Sequence, residues 1–271
     1  MNHRDLSSPT LDGLIERLQL QLNVHATTAT REWWTKYLKG AASFRGVKMA
    51  DVRKAVHAWF KEERLGEHLS VGLQKNLALM LLKEDHSEDK LAGILFLQEI
   101  LLPQGALDWR SDLPRFARLF DEGYVRDWST CDWFCVKVLG PLVEQQGEAC
   151  ARAICNWRDA DSLWQRRASV VAFVDLVKHG EGNFVGFTEM VLDNCTQLLG
   201  SQERFVQTGV GWVLRELSRS DKGRVVGFVE ANLDRFSREA LKNATKLLAP
   251  EVAEHLLQAH LPSGSRSRRR R

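Results

Sequence analysis

Residues 204–218, RFVQTGVGWVLRELS, set Val206, Val210, Val213 and Leu217 on one face of an α-helix. A helix with one apolar stripe must bury that stripe against another element. The segment opens at Ser201 (SQERFVQTGVGWVL), and comparable openings stand at Met49 (MADVRKAVHAWF), Ser87 (SEDKLAGILFLQEIL), Asp127 (DWSTCDWFCVKVL), Asp161 (DSLWQRRASVVAFV) and Ser237 (SREALKNATKLL). Their separations are 38, 40, 34, 40 and 36 residues, which is an internal repeat. Ser or Asp at each start after the first is placed to cap a helix. Partner helices are expected between them, over residues 69–82, 147–157, 184–199 and 223–233. Two helices per roughly 35 to 40 residues is the pattern of HEAT and armadillo-like arrays, so the expected fold is an all-α curved solenoid.

Outside the repeats, residues 11–24 and 30–38 predict a capping helical pair, followed by a loop over residues 40–48. No linker rich in Gly, Pro or Ser interrupts the repeats before Pro262, which predicts one domain over residues 1–262. The six prolines are expected mostly at helix ends. At 271 residues, 44% hydrophobic and 27% charged, the chain has ample material for a core. No apolar run reaches the roughly 18 residues of a membrane span, and the polar start MNHRDLSSPT is no signal peptide. An intracellular protein is expected. The five cysteines are odd in number and lack metal-ligand spacing, so buried structural thiols in a reducing compartment are expected, with no metal.

Five arginines of the tail SGSRSRRRR, residues 263–271, exceed the formal charge of +3, leaving the rest of the chain at −2. A disordered tail of this composition suits an arm that displaces counterions from a polyanion. A solvated tail and an address signal are equally compatible with it.

Three oddities mark the first helices of the repeats. In residues 126–140, RDWSTCDWFCVKVLG, the carboxylate of Asp132 stands in an apolar stripe formed with Cys135, Val136 and Leu139, one turn after Trp128. In residues 161–174 the guanidinium of Arg167 stands in the stripe of Leu163, Trp164, Val170 and Val171, with Arg166 nearer its edge. Trp212 stands beside the seam of its helix, above the bare backbone of Gly209. An unpartnered buried ion costs several kcal/mol, roughly, so each charge needs a partner or a task. Asp132, Arg167 and Trp212 lie within six to twelve residues of the start of their helices, so a common register brings them together, on the concave side if the first helices line it. The residues alone leave two accounts open: a functional cluster, or an Asp132–Arg167 ion pair stitching adjacent repeats with tryptophans as core fillers.

The quoted stretches resemble the DNA alkylation repair glycosylases built from HEAT-like repeats, the AlkC and AlkD class, with the AlkD branch closer. The resemblance runs over about residues 35–248 and is strongest at residues 205–242, FVQTGVGWVLRELSRSDKGRVVGFVEANLDRFSREALK. The Trp-x-x-x-Asp of Trp128 and Asp132 ahead of Leu139-Gly140 supports it, as does the Leu-Trp-x-x-Arg-Ala of Leu163, Trp164, Arg167 and Ala168. Lys36-Tyr37-Leu38-Lys39, followed by Phe44, Gly46 and Val47, is similar to the family's opening.

The resemblance implies a monofunctional DNA glycosylase of base excision repair that excises N3- or N7-alkylated purines from duplex DNA, as a monomer without a cofactor. It implies Asp132 as the catalytic carboxylate, Trp128 and Trp212 as indoles against the damaged nucleotide's sugar, and Arg167 as a phosphate contact. Tyr37 corresponds to a family tyrosine near the same cleft, and Arg45 and Arg166 are expected DNA contacts. Two positions depart from the pattern: Thr208 stands where a basic residue is common, and Asp127 where an aromatic precedes the tryptophan. The alternatives are a non-catalytic binder of DNA structures and a protein-interaction scaffold.

Overall fold

The computed structural model describes residues 10–260, which leaves the arginine tail at residues 263–271 outside the described residues. All the regular structure among them is helical, apart from a single bridge between Ser43 and His86. The chain divides between Ala106 and Leu107 into two compact units.

The first unit holds α1 (Leu11–Val24), α2 (Thr28–Tyr37), α3 (Met49–Glu62), α4 (Leu65–His68), α5 (Val71–Leu81) and α6 (Ser87–Phe96). α3 packs against α1 and α6, and α5 lies against α6. α2 differs from its neighbours in burying none of its residues. The loop expected over residues 40–48 is fastened by Glu88, which accepts from the backbone N–H groups of Arg45, Gly46 and Val47 at 2.8–2.9 Å.

The second unit holds α7 (Trp109–Asp121), α8 (Trp128–Phe134), α9 (Gly140–Cys155), α10 (Leu163–Val171), α11 (Phe187–Leu198), α12 (Arg204–Leu217), α13 (Lys222–Ala231), α14 (Arg238–Ala244) and α15 (Pro250–Ala259). Four of them form a row of parallel helices, α8, α10, α12 and α14, in which each packs against the next. The register is read from the contacts. Cys131 of α8, and Cys135 just beyond its end, point at the carbonyls of Trp164 and Ala168 of α10. Arg204 and Arg215 of α12 reach Glu239 and Asn243 of α14. The seam of Val206, Val210, Val213 and Leu217 is fully buried, each side chain contributing about 1.5–3 kcal/mol of apolar burial. α11 packs against α9, α10 and α12 as the second helix of the pair.

Caps decide where the helices start, and three differ from expectation: in the Ser87 segment His86 stands at the cap position without a side-chain cap bond, and Ser87 is already the first helical residue. Asp127 and Ser237 cap as expected, accepting from the N–H groups of Thr130 (2.9 Å) and Ala240 (3.2 Å). In the Asp161 segment the cap is Ser162. In the Ser201 segment the helix starts only at Arg204, and the Ser201 hydroxyl accepts from the Glu203 N–H instead. The partner helices begin and end within three residues of expectation; the one expected over residues 147–157 is the second half of α9, which opens at a kink where Gly147 takes φ +73°.

Not all prolines lie at helix ends. Pro114 is inside α7, while Pro141 stands in the first turn of α9, one residue beyond a π-helical turn, Cys135–Leu139, that joins α8 to α9. Pro141 cannot donate to the carbonyl of Lys137, and its ring would crowd that turn, so the helix widens before it and Gly140 donates to Cys135. The same device occurs in the first unit, where the π-helical turn Leu97–Leu101 precedes Pro103.

Candidate functional site

Asp132 lies in the middle of α8, whose start is fixed by the cap of Asp127. On the neighbouring helix α10, Arg167 meets it with two parallel hydrogen bonds, Nε to Oδ1 at 2.8 Å and Nη2 to Oδ2 at 2.9 Å. The side chains are 14% and 7% exposed, so the pair is almost dry but the carboxylate keeps an opening to solvent. The remaining guanidinium nitrogen, Nη1, turns to α12, donating to the Phe205 carbonyl at 2.6 Å and to Thr208 Oγ1 at 3.4 Å. One side chain thus ties three consecutive helices of the row. Nε, Nη1 and Nη2 of Arg167 all face protein acceptors.

The glycine beneath Trp212 explains how α12 comes so close. A Cβ on Gly209 would stand 3.3 Å from Val170 and Val171 and 3.4 Å from Arg167 Nη1. On its other side α12 is held still tighter, because a Cβ on Gly211 would stand 2.5 Å from the Ala240 carbonyl oxygen. Both indoles are partly exposed. Trp128 lies one turn before Asp132 on α8, and Trp212 one turn after Thr208 on α12, each about 6 Å along its axis from the level of the ion pair. In a parallel row this sets the tryptophans on opposite sides of the pair. The Arg215 guanidinium lies 6.0 Å from the ring centre of Trp212.

Burial pushes the Asp132 carboxyl up from the usual carboxylate range, while the hydrogen bonds and charge of Arg167 pull it back and Asp127 pushes it up again. Spacing marked Asp127 only as a helix start, not as a neighbour of the site. Its carboxylate is buried as a cap, with Oδ2 also accepting from the Thr130 hydroxyl at 2.8 Å, and its negative charge bears on Asp132 from the same helix. Thr208, noted only as a departure, supplies a hydroxyl where it meets Arg167.

The other expected contacts are engaged with partners of their own. Arg166 donates to the carbonyls of Ala160 and Asp161 and pairs with Glu203, bracing the turn before α10. Arg45, in the first unit, grips Asp89 with Nε (3.0 Å) and Nη2 (2.7 Å) and Asn23 with Nη1. Tyr37 is half exposed and stacks on Trp33 at 5.2 Å. All five cysteines are buried free thiols, and among the described residues no group of three His, Cys, Asp or Glu could hold a metal ion. No described helix is long and apolar enough to cross a membrane.

The DNA alkylation repair enzyme family matches the chain over residues 18–248. The chain belongs to that family. Membership makes it an enzyme of the repair of alkylated DNA. A solved structure described as a predicted DNA alkylation repair enzyme from Enterococcus faecalis shares the fold, with a TM-score of 0.70 at 15% identity, covering 83% of this chain and 98% of that one. No curated protein sequence matches significantly. The matched span of the family takes in α2 through α14 and so contains Asp132, Arg167, Trp128 and Trp212.

Proposed function

We propose that the protein is a DNA glycosylase that releases purines alkylated at N3 or N7 from duplex DNA, with Asp132 as the group that stabilises the reacting sugar. The observation that carries this is the fork of Arg167 on Asp132: a carboxyl group paired with a guanidinium and fixed in orientation between two partly exposed indoles.

The chemistry needs little more. An N3- or N7-alkylated purine is already cationic and departs as a neutral base, so no general acid is required. As the bond from C1′ to the base lengthens, the bonding pair leaves with the base and positive charge develops on the deoxyribose. The Asp132 carboxylate opposes that charge and orients the water that adds to C1′, and that water's proton passes to solvent or to the carboxylate. The faces of Trp128 and Trp212 add cation–π attraction that strengthens as the charge forms, which is the requirement for acceleration. Arg167 acts through Asp132 as a positioning residue. Tyr37, Arg45 and Arg166 are the proposed contributors to the grip on the DNA backbone, Arg45 and Arg166 only if their present partners release them.

The experiment is direct. Purified protein incubated with methylated duplex DNA releases N7-methylguanine and N3-methyladenine as free bases, detected by chromatography. Binding without release would instead make the protein a silent DNA binder.

A further inference from the structure

α2 and the start of α3 enclose a cleft of about 500 Å³, lined by Thr27, Thr30, Trp33, Trp34, Lys48 and Met49. Its size is that of a small-molecule site. The two indoles stand at 83° to each other with ring centres 4.7 Å apart. Each is backed by another ring: Tyr37 stacks on Trp33, tilted by 9°, and Phe44 stacks on Trp34, tilted by 13°. Trp33 is nevertheless 57% exposed, on a helix that buries nothing.

The walls are fixed in advance. The Thr27 N–H donates to the Gly46 carbonyl at 2.9 Å, and Gly46, at φ +101°, lies so close to the Thr27 carbonyl that no side chain fits there. The surroundings are cationic: Arg31, Lys36, Lys39 and Lys48 are all exposed, against the single acid Glu32 within residues 27–49. A preformed aromatic ledge with a lysine in its wall, on a segment rich in exposed cations, is the arrangement that binds single strands, the rings taking base faces and the cations the phosphates. An apolar protein partner would leave those four charges without complement, and a second copy would repeat them against themselves.

We propose that this cleft binds an unpaired nucleobase of a DNA strand, stacked on Trp33, with Lys48 meeting the adjoining phosphate. It would give the protein a hold on single-stranded or gapped DNA in addition to the Asp132 site. The proposal rests on the family's action on DNA, not on the glycosylase chemistry.

The test measures the fluorescence anisotropy of a labelled oligothymidylate of roughly a dozen nucleotides, matching the reach of a single-strand site. A strand of equal length with abasic residues keeps the phosphates and removes the bases, and free thymidine monophosphate serves as competitor. The full chain should bind the thymidylate about tenfold or more tighter than the abasic strand. Trp33→Ala should abolish that preference and Trp33→Phe should keep most of it, with thermal unfolding unchanged. Lys48→Ala should weaken both strands and lower the salt slope by about one. Equal binding of the two strands, a preference that survives Trp33→Ala, a salt slope unchanged by Lys48→Ala, or full competition by the free nucleotide at equal concentration would overturn the proposal. So would a wild-type dimer in sedimentation that Trp33→Ala dissolves. Base release from methylated duplex is read on the same preparations. Its absence beside Trp33-dependent strand binding would remove the glycosylase and leave the cleft, and the converse result would do the opposite.

Discussion

Arg167 meets Asp132 two-on-two, at 2.8 and 2.9 Å, and spends its last nitrogen on the Phe205 carbonyl of the next helix. The carboxylate's position is therefore set by three helices of the parallel row rather than by α8 alone. A monodentate or solvent-separated pair would leave the carboxylate free to rotate.

Asp132→Asn keeps the shape and an acceptor for Arg167 while removing the charge. Release of N7-methylguanine under single turnover should fall roughly tenfold to a thousandfold, the range for losing one electrostatic stabiliser. Affinity for duplex DNA should persist. Unchanged release would make the ion pair a stitch between repeats and nothing more.

The pH dependence carries a sign that the pair dictates. Release needs the ionised carboxylate, so the rate falls as pH drops through the Asp132 pKa, which burial has raised above that of an ordinary aspartate. The acid limb should therefore lie above the usual value of about 3.9. Arg167→Gln removes the groups that pull the pKa down and should move that limb to still higher pH. A limb that stays put would mean that Arg167 does not act through Asp132.

Gly209 and Gly211, two residues apart on one helix, should respond differently to alanine. Gly211→Ala drives a Cβ to 2.5 Å from the Ala240 backbone oxygen, where nothing flexible can give way. It should cost about 1–3 kcal/mol in urea unfolding, after the better helix propensity is counted. Gly209→Ala meets only side-chain atoms at 3.3–3.4 Å, Arg167 Nη1 among them. Its stability should change by less than about 0.5 kcal/mol, while base release slows severalfold as the guanidinium is nudged. Equal losses of stability would show that the α12–α14 contact relaxes as readily as the α10–α12 contact.

The helical repeat was legible because its signal is periodic: Val206, Val210, Val213 and Leu217 mark a seam that the fold buries completely. The partnership of Asp132 with Arg167 was legible for the same reason, as two charges displaced into apolar stripes at matching register. Helix starts were less so, since neighbouring cap residues compete locally: Asp161 and Ser162 both suit a cap, and only packing selects Ser162. Pro141 reads as a stop, yet a wider turn lets the helix continue through it. The commitment of Arg45 to Asp89, and of Arg166 to Glu203, was hidden because each partner lies about forty residues away with no periodic mark. The exposure of Trp33 was equally hidden, because an indole in a helix gives no sign of which side water takes.

Substrate choice tests the chemistry most sharply. With Asp127 taken up as the cap of α8, the described cluster offers one further carboxylate and a guanidinium that stays protonated, and none of these is placed to donate a proton to a departing base. Only bases that carry their own positive charge should leave: N3- and N7-alkylated purines from duplex DNA, and neither uracil nor hypoxanthine, whose neutral departure needs protonation or equivalent stabilisation. For the alkylated substrates the rate should also stay nearly level from neutrality to about pH 9, because no acid has to remain protonated. Chromatography of bases released from matched duplexes, one lesion at a time, decides it. Efficient uracil release, or a rate that collapses near neutrality as the pH rises, would require a general acid and would sink this account of Asp132.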